Sequence, residues 1–150
     1  MKVVLQRVTA ASVTVDGVVV GRIGRGYLLL VGLALGDDET TVRRLAADVA
    51  KARLMPDAQG KMGVNLRDAG ADALAVSQFT LLADFTKGNR PSFNAAARPE
   101  VAQPLFDLFV RELSAHLGRP VPTGIFGADM AVSLVNDGPV TITMDSKNKE

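Results

Sequence analysis

The chain has no cysteine and no tryptophan, and only one histidine and one tyrosine among 150 residues. Without cysteine there is no disulfide, no thiolate nucleophile and no metal site of the clustered Cys/His kind. With one imidazole there is no site that needs two. Reducing, cytoplasmic surroundings fit this composition, and no metal or other cofactor is expected.

Net charge is nearly absent as well, since seventeen Lys and Arg oppose sixteen Asp and Glu. No overall field gathers polyanions, so any contact with nucleic acid has to be a local patch. Long apolar runs are also missing. The most marked early one, Tyr27 to Leu35, is interrupted by Gly32 and has about half the length of a bilayer-spanning helix. Met1 to Val8 carries charges among its apolar residues, unlike a secretory signal. No membrane partner is expected.

What the chain does have is a hydrophobic fraction of 47%, enough for one core, so residues 1–150 are expected to form a single domain. Val3 to Val8 is apolar and β-branched. Ser12 to Val20 alternates across Asp16-Gly17, the dipeptide best suited to a type I′ hairpin turn. Tyr27 to Leu33 follows a Gly24-Arg25-Gly26 turn and is continuous enough in Leu and Val to be a strand buried on both faces.

Asp37-Asp38-Glu39 supplies a cap, and Val42, Leu45, Ala46 and Val49 recur at helical spacing, which predicts a helix over Asp38 to Leu54. A second helix is expected from Pro99 to about Gly118, with Val101, Leu105, Leu108, Phe109 and Leu113 on one face. Between the two, Pro56 to Gly63 reads as a loop, Ala73 to Leu82 as a strand and Asp84 to Asn94 as a polar, basic loop. Val121 to Phe126, Met130 to Val135 and Val140 to Met144 read as three further short strands. The fold class is therefore α+β: a curved β-sheet or partial β-barrel with covering helices.

Chemistry is hard to find by motif alone. Ser77, Gln78 and Thr80 put two hydroxyls and an amide into one strand segment, but Thr80 is an ordinary β-former and Ser77 and Gln78 can satisfy nearby backbone. Three residues apart, Ser77 and Thr80 face opposite sides unless the strand bends or ends between them. The lone His116 falls near the end of the second helix, where an imidazole complements the helix dipole, and nothing beside it resembles a triad partner. Lys87 and Arg90 flank Gly88 and could hold phosphate, or simply be solvated. Gly138-Pro139 is read from the residues as a trans turn before a strand. Arg7 is harder to dismiss, because a guanidinium on a core strand needs carbonyl or carboxylate partners.

Five segments share one order: Leu5-Gln6-Arg7-Val8, Ser77-Gln78-Phe79-Thr80-Leu81, the Lys87-Gly88 to Pro91-Ser92-Phe93 loop, Phe126-Gly127-Ala128-Asp129-Met130 and Asn136-Asp137-Gly138-Pro139-Val140-Thr141. Together they closely resemble the D-aminoacyl-tRNA deacylase (D-tyrosyl-tRNA deacylase) family, from Met1 to about Ser146. The chain departs from the family pattern at Lys61 to Asn65, which leaves Met62 and Asn65 without a role, and in the polar tail after Ser146.

The resemblance implies a homodimer with active sites at the subunit interface and a tRNA-editing hydrolase that cleaves D-aminoacyl-tRNA. It implies that Gly138-Pro139 is cis and enters the partner's site, so that an L side chain collides with it, and that Arg7 holds this loop in place. Backbone N–H groups around Phe79 and Thr80 would stabilise the oxyanion, with Ser77 and Gln78 beside them. Lys87, Arg90, Phe126, Gly127, Ala128 and Met130 would contact the aminoacyl end of the tRNA. The ribose 2′-hydroxyl would help activate water, and achiral glycyl-tRNA, mischarged on the alanine tRNA, would be a second substrate. Two readings of other classes stand beside this one: a non-catalytic module that binds RNA ends, and an esterase with Thr80 or Ser77 as nucleophile.

Overall fold

The computed structural model describes residues 1–148; the last two residues of the polar tail lie outside the described residues. Strand β1 (Lys2–Val15) is the organising element. Along one edge it pairs antiparallel first with β3 (Gly26–Gly32) and then with β2 (Val18–Ile23); along the other it pairs with β7 (Ala131–Asp145). Strand β6 (Asp72–Ser77) lies parallel to β3. The β1–β2 turn has Asp16 at φ 49° and Gly17 at φ 77°, the two positive values that the Asp-Gly pair was expected to supply.

The sheet is curled, with different cores on its two faces. On one face, α1 (Glu39–Lys51) and α3 (Pro99–Leu117) cover Val3, Leu5, Tyr27, Leu29 and Val31. On the other, Val8, Val13, Ile23, Leu28, Leu74 and Val76 form a smaller cluster. The α+β sheet with covering helices is thus as expected. The reason β3 reads as a continuous apolar run is that it is buried from both sides.

Helix α1 begins as foreseen, with Asp38 accepting from the Thr41 N–H at 2.9 Å, but stops at Lys51 rather than Leu54. The buried phenol of Tyr27 explains the early end: it donates to the Ala52 carbonyl and accepts from the Leu54 N–H, both at 3.1 Å, so these groups serve the tertiary structure. Burial pushes the phenol pKa up, which keeps it a neutral donor and acceptor. Tyr27→Phe preserves the volume but strands two backbone groups, and should lower stability by about 1–3 kcal/mol, measured as a shift of the urea midpoint at unchanged m-value.

Three strand expectations are corrected. Val121 to Phe126 is not a strand; it touches β6 only through a bridge at Ala75 and Thr123, because Pro122 has no N–H for a ladder. Ala73 to Leu82 ends as a strand at Ser77 and continues as a 3-10 turn, Phe79–Leu82. The last rung is the Gln78 N–H to the Val31 carbonyl at 2.8 Å; the chain then folds over Gly32, where a Cβ would lie 2.7 Å from Leu82 Cδ2. Met130 to Val135 and Val140 to Met144 are one strand, β7, because both halves pair with β1.

The Pro56 to Gly63 loop also holds more structure than expected. Met55–Pro56 (β4) and Met62–Val64 (β5) form a small hairpin, followed by the single turn α2 (Leu66–Ala69). Asn65 caps that turn by accepting from the Asp68 N–H at 2.8 Å, while the Met62 side chain is exposed.

Candidate active site

The end of β6 and the turn that precedes β7 face each other across a cavity of about 410 Å³. Ser77, Gln78 and Phe79 come from the first; Phe126, Gly127, Ala128, Asp129 and Met130 come from the second. Val31 of β3 and Leu33 just after it, Val76 of β6, Pro99 and Ala102 of α3, and Val132 of β7 complete an otherwise apolar lining.

The two walls are fixed in different ways. Gly127, at φ +79°, turns the chain, the Ala128 N–H closes on the Ile125 carbonyl at 3.2 Å, and the Phe126 ring packs against Phe106 at 6.4 Å. Opposite, the rings of Phe79 and Phe93 form a T-shaped pair with centroids 5.0 Å apart and planes at 72°. The end of β6 between Ser77 and Phe79 settles the question of facing: Thr80 is exposed in the 3-10 turn and outside the lining, and its hydroxyl accepts from the Gln78 amide. The opening N–H groups of such a turn, those of Phe79 and Thr80, have no partner within it and are available to an incoming oxygen.

Arg7, Gly138 and Pro139 also stand apart from this cavity. Opposite Arg7, β7 leaves its register with β1 between Asn136 and Thr141 and pushes out Asp137, Gly138, Pro139 and Val140 as a bulge. Asn136 closes its base: its side chain accepts from the Val140 N–H at 2.8 Å and donates to the Val140 carbonyl at 3.2 Å. The Gly138-Pro139 peptide is cis, which corrects the trans turn read from the residues alone. Gly138 and Pro139 are exposed, and neither they nor Arg7 line the cavity of their own chain.

Arg7 has the carbonyl partners that its place on a core strand demands. Its Nε donates to the Asp137 carbonyl at 3.0 Å and its Nη1 to the Leu54 carbonyl at 2.8 Å; the Asp137 carboxylate lies 3.5 Å from Nε. The guanidinium therefore ties the bulge of β7 to the segment after α1.

Lys87 and Arg90 are exposed on the Asp84–Ser92 loop, outside the cavity; this loop leads back to Phe93 and so to the Phe79 wall. His116 is exposed on the last turn of α3 and takes no part. Among the described residues no group of His, Asp and Glu could hold a metal ion. The linings from β3 and α3 were not foreseen: apolar residues on core elements carry no mark that distinguishes cavity from core. Asp129 lies inside the Phe126 to Met130 motif without an expected role; the signal that marks it is a lone charge in an otherwise apolar turn.

The family model described as D-Tyr-tRNA(Tyr) deacylase matches residues 4–145. The chain belongs to this family. Full-length relatives agree: a D-aminoacyl-tRNA deacylase of Dechloromonas aromatica is 59% identical and one of Chromobacterium violaceum 57% identical, each over 100% of both chains. Among solved structures, the c-Myc DNA unwinding element binding protein superposes with a TM-score of 0.90 at 38% identity, covering 97% of this chain and 98% of its own. A probable eukaryotic D-amino acid tRNA deacylase shares the fold, with a TM-score of 0.83 at 18% identity over 95% of this chain and 97% of that one. Membership of the deacylase family places the chain among hydrolases. No helix among the described residues is long and apolar enough to cross a membrane.

Proposed function

We propose that the chain cleaves the ester bond of D-aminoacyl-tRNA, releasing free tRNA and the D-amino acid. The observation that carries this reading is the cavity itself. The two motif segments, Ser77 to Phe79 and Phe126 to Met130, close around a space suited to an aminoacyl ester, in a chain whose full-length relatives are named for that activity.

The N–H groups of Phe79 and Thr80 take the charge of the tetrahedral oxygen, with Ser77 and Gln78 lining the approach. No imidazole is at hand, so the 2′-hydroxyl of the terminal ribose helps activate the attacking water and the protein contributes position. Phe126, Gly127, Ala128 and Met130 hold the aminoacyl end, and Lys87 and Arg90 meet the RNA backbone. The reaction in this form uses no metal.

Stereochemical choice is made by a second copy of the chain. Gly138 and Pro139 stand out on the bulge, unused by their own cavity, and Val135 and Ile142 leave apolar surface exposed on either side of them. In a homodimer this bulge enters the partner's cavity, where its carbonyls accept the α-amino group and leave no room for an L side chain. Glycine has no side chain to be excluded, so glycyl-tRNA, including that mischarged on the alanine tRNA, is also cleaved. The cytoplasm, where charged tRNA is made, is the working compartment.

The test is deacylation of matched D-tyrosyl- and L-tyrosyl-tRNA by the purified protein and its Thr80→Ala variant. D-selective cleavage is expected, with the variant keeping more than about a tenth of wild-type kcat/KM, because the backbone of residue 80 is unchanged. A covalent acyl-enzyme and a loss of about a thousandfold in the variant would assign Thr80 as nucleophile instead. Tight tRNA binding without cleavage would leave a module that binds RNA ends.

A further inference from the structure

We infer that Asp129 adds a carboxylate to the recognition of the substrate's α-ammonium group, beside the carbonyls of the partner's bulge, so that the site selects esters of amino acids over otherwise identical esters that lack that charge. The inference rests on the deacylase reading and adds a residue and a selectivity to it.

Among the described residues, Asp129 carries the only charged side chain in the cavity lining. Its carboxylate makes no ion pair or side-chain hydrogen bond among the described residues, so the turn does not use it for its own closure. That closure is made by the backbone, through Gly127 and the Ala128 N–H. The rest of the lining is largely apolar, with Val31, Leu33, Val76, Pro99, Ala102 and Val132 on the walls. Low-dielectric walls around one unpaired negative charge focus its field into the space they enclose.

The ligand of that space carries the matching charge. The α-amino group of an aminoacyl ester titrates near neutral pH, below a chain N-terminus because the ester withdraws electrons, so a substantial share of it is ammonium there. The ester and the ribose beside it are neutral, so the ammonium is what distinguishes an aminoacyl ester from other acyl esters at the reacting end. Asp129 is an exposed residue of the lining, so its attraction is partly screened by water. The benefit is therefore one of affinity and selection, of the size of an exposed ion pair, and the carboxylate needs no part in bond cleavage.

The test compares wild type with Asp129→Asn, which keeps the side-chain shape, on D-phenylalanyl-tRNA and on D-3-phenyllactyl-tRNA, where a hydroxyl replaces the ammonium. For the amino substrate the variant should raise KM about fivefold, the factor of an exposed pair worth about 1 kcal/mol, with kcat within about twofold of wild type. For the hydroxy substrate KM should change less than about twofold, and Asp129→Glu should restore most of the preference. Dissociation constants of the two uncleavable 3′-amide analogues report the same selectivity independently of turnover.

Equal losses on both substrates, or no loss on either, would overturn the inference. A fall in kcat shared by both would instead assign the carboxylate to the ester or the attacking water. Failure of wild type to cleave D-phenylalanyl-tRNA would count against the deacylase reading itself, and the analogue affinities would still decide whether Asp129 reads the ammonium.

Discussion

Replacing Arg7 by alanine should cost the protein much of its choice between D- and L-aminoacyl-tRNA while leaving ester cleavage largely intact. Arg7 does not line the cavity, so it has no direct contact with the ester to lose. What it loses are the two charge-assisted hydrogen bonds, to the Asp137 carbonyl at 3.0 Å and the Leu54 carbonyl at 2.8 Å, that tie the β7 bulge to the rest of the molecule. Hydrogen bonds to a charged group are each worth about 1.5–3 kcal/mol, and two carbonyls are left to find water. The bulge that displays Gly138 and Pro139 is then held by the Asn136 side chain at its base and by the pairing of β1 with β7 on either side. The ratio of kcat/KM for D-tyrosyl- over L-tyrosyl-tRNA should fall at least about tenfold, chiefly because L-substrate is accepted, and stability should fall by about 2–4 kcal/mol. An unchanged ratio in a folded variant would remove Arg7 and the bulge from stereochemical selection.

The second large effect is expected at Gly32, which no motif marks. A Cβ there would lie 2.7 Å from Leu82 Cδ2, 3.0 Å from the Gln78 carbonyl oxygen and 3.1 Å from Leu81 Cβ. The glycine is thus the seat on which the 3-10 turn rests, and the turn carries the Phe79 and Thr80 N–H groups. Gly32→Val should lift the turn by some tenths of an ångström or more and take both donors out of line. Loss of one well-placed oxyanion donor costs about 10²–10³-fold in rate, so kcat should drop by at least about a hundredfold, with a smaller change in KM. Near wild-type kcat in the valine variant would mean that the turn does not supply the oxyanion site.

The parts of this arrangement that were legible in the sequence are those decided locally. The Asp16-Gly17 hairpin, the Asp38 cap and the Gly118 end of α3, at φ 74°, follow from the preferences of single residues and their neighbours. What was not legible depends on partners distant along the chain. Nothing near residues 131–145 says that both halves will lie against the same strand, so the Asn136 to Pro139 segment reads as a turn between two strands rather than a bulge within one. Likewise the strand from Asp72 stops at Ser77 because Gly32, on another strand, offers a surface to fold over.

The candidate site was readable to the same degree. The segments Ser77 to Phe79 and Phe126 to Met130 line one cavity. Lys87, Arg90, Arg7, Gly138 and Pro139 do not join them within one chain, and their assignment depends on the RNA and on a second subunit.

The pairing of β1 with β7 also bears on how the chain assembles. Arg7 is separated from its Asp137 partner by 130 positions, and Lys2 from its partner Asp145 by nearly the whole described chain. Contacts this distant must pay the entropy of closing a long loop before they return any stabilisation, which slows folding. During synthesis, one edge of β1 therefore waits unpaired until almost everything else has been made. The bulge with Gly138 and Pro139 is drawn into position by that same late closure. Nascent chains that have hairpins and helices but not β7 would have the outline of a cavity and no bulge to offer a second copy.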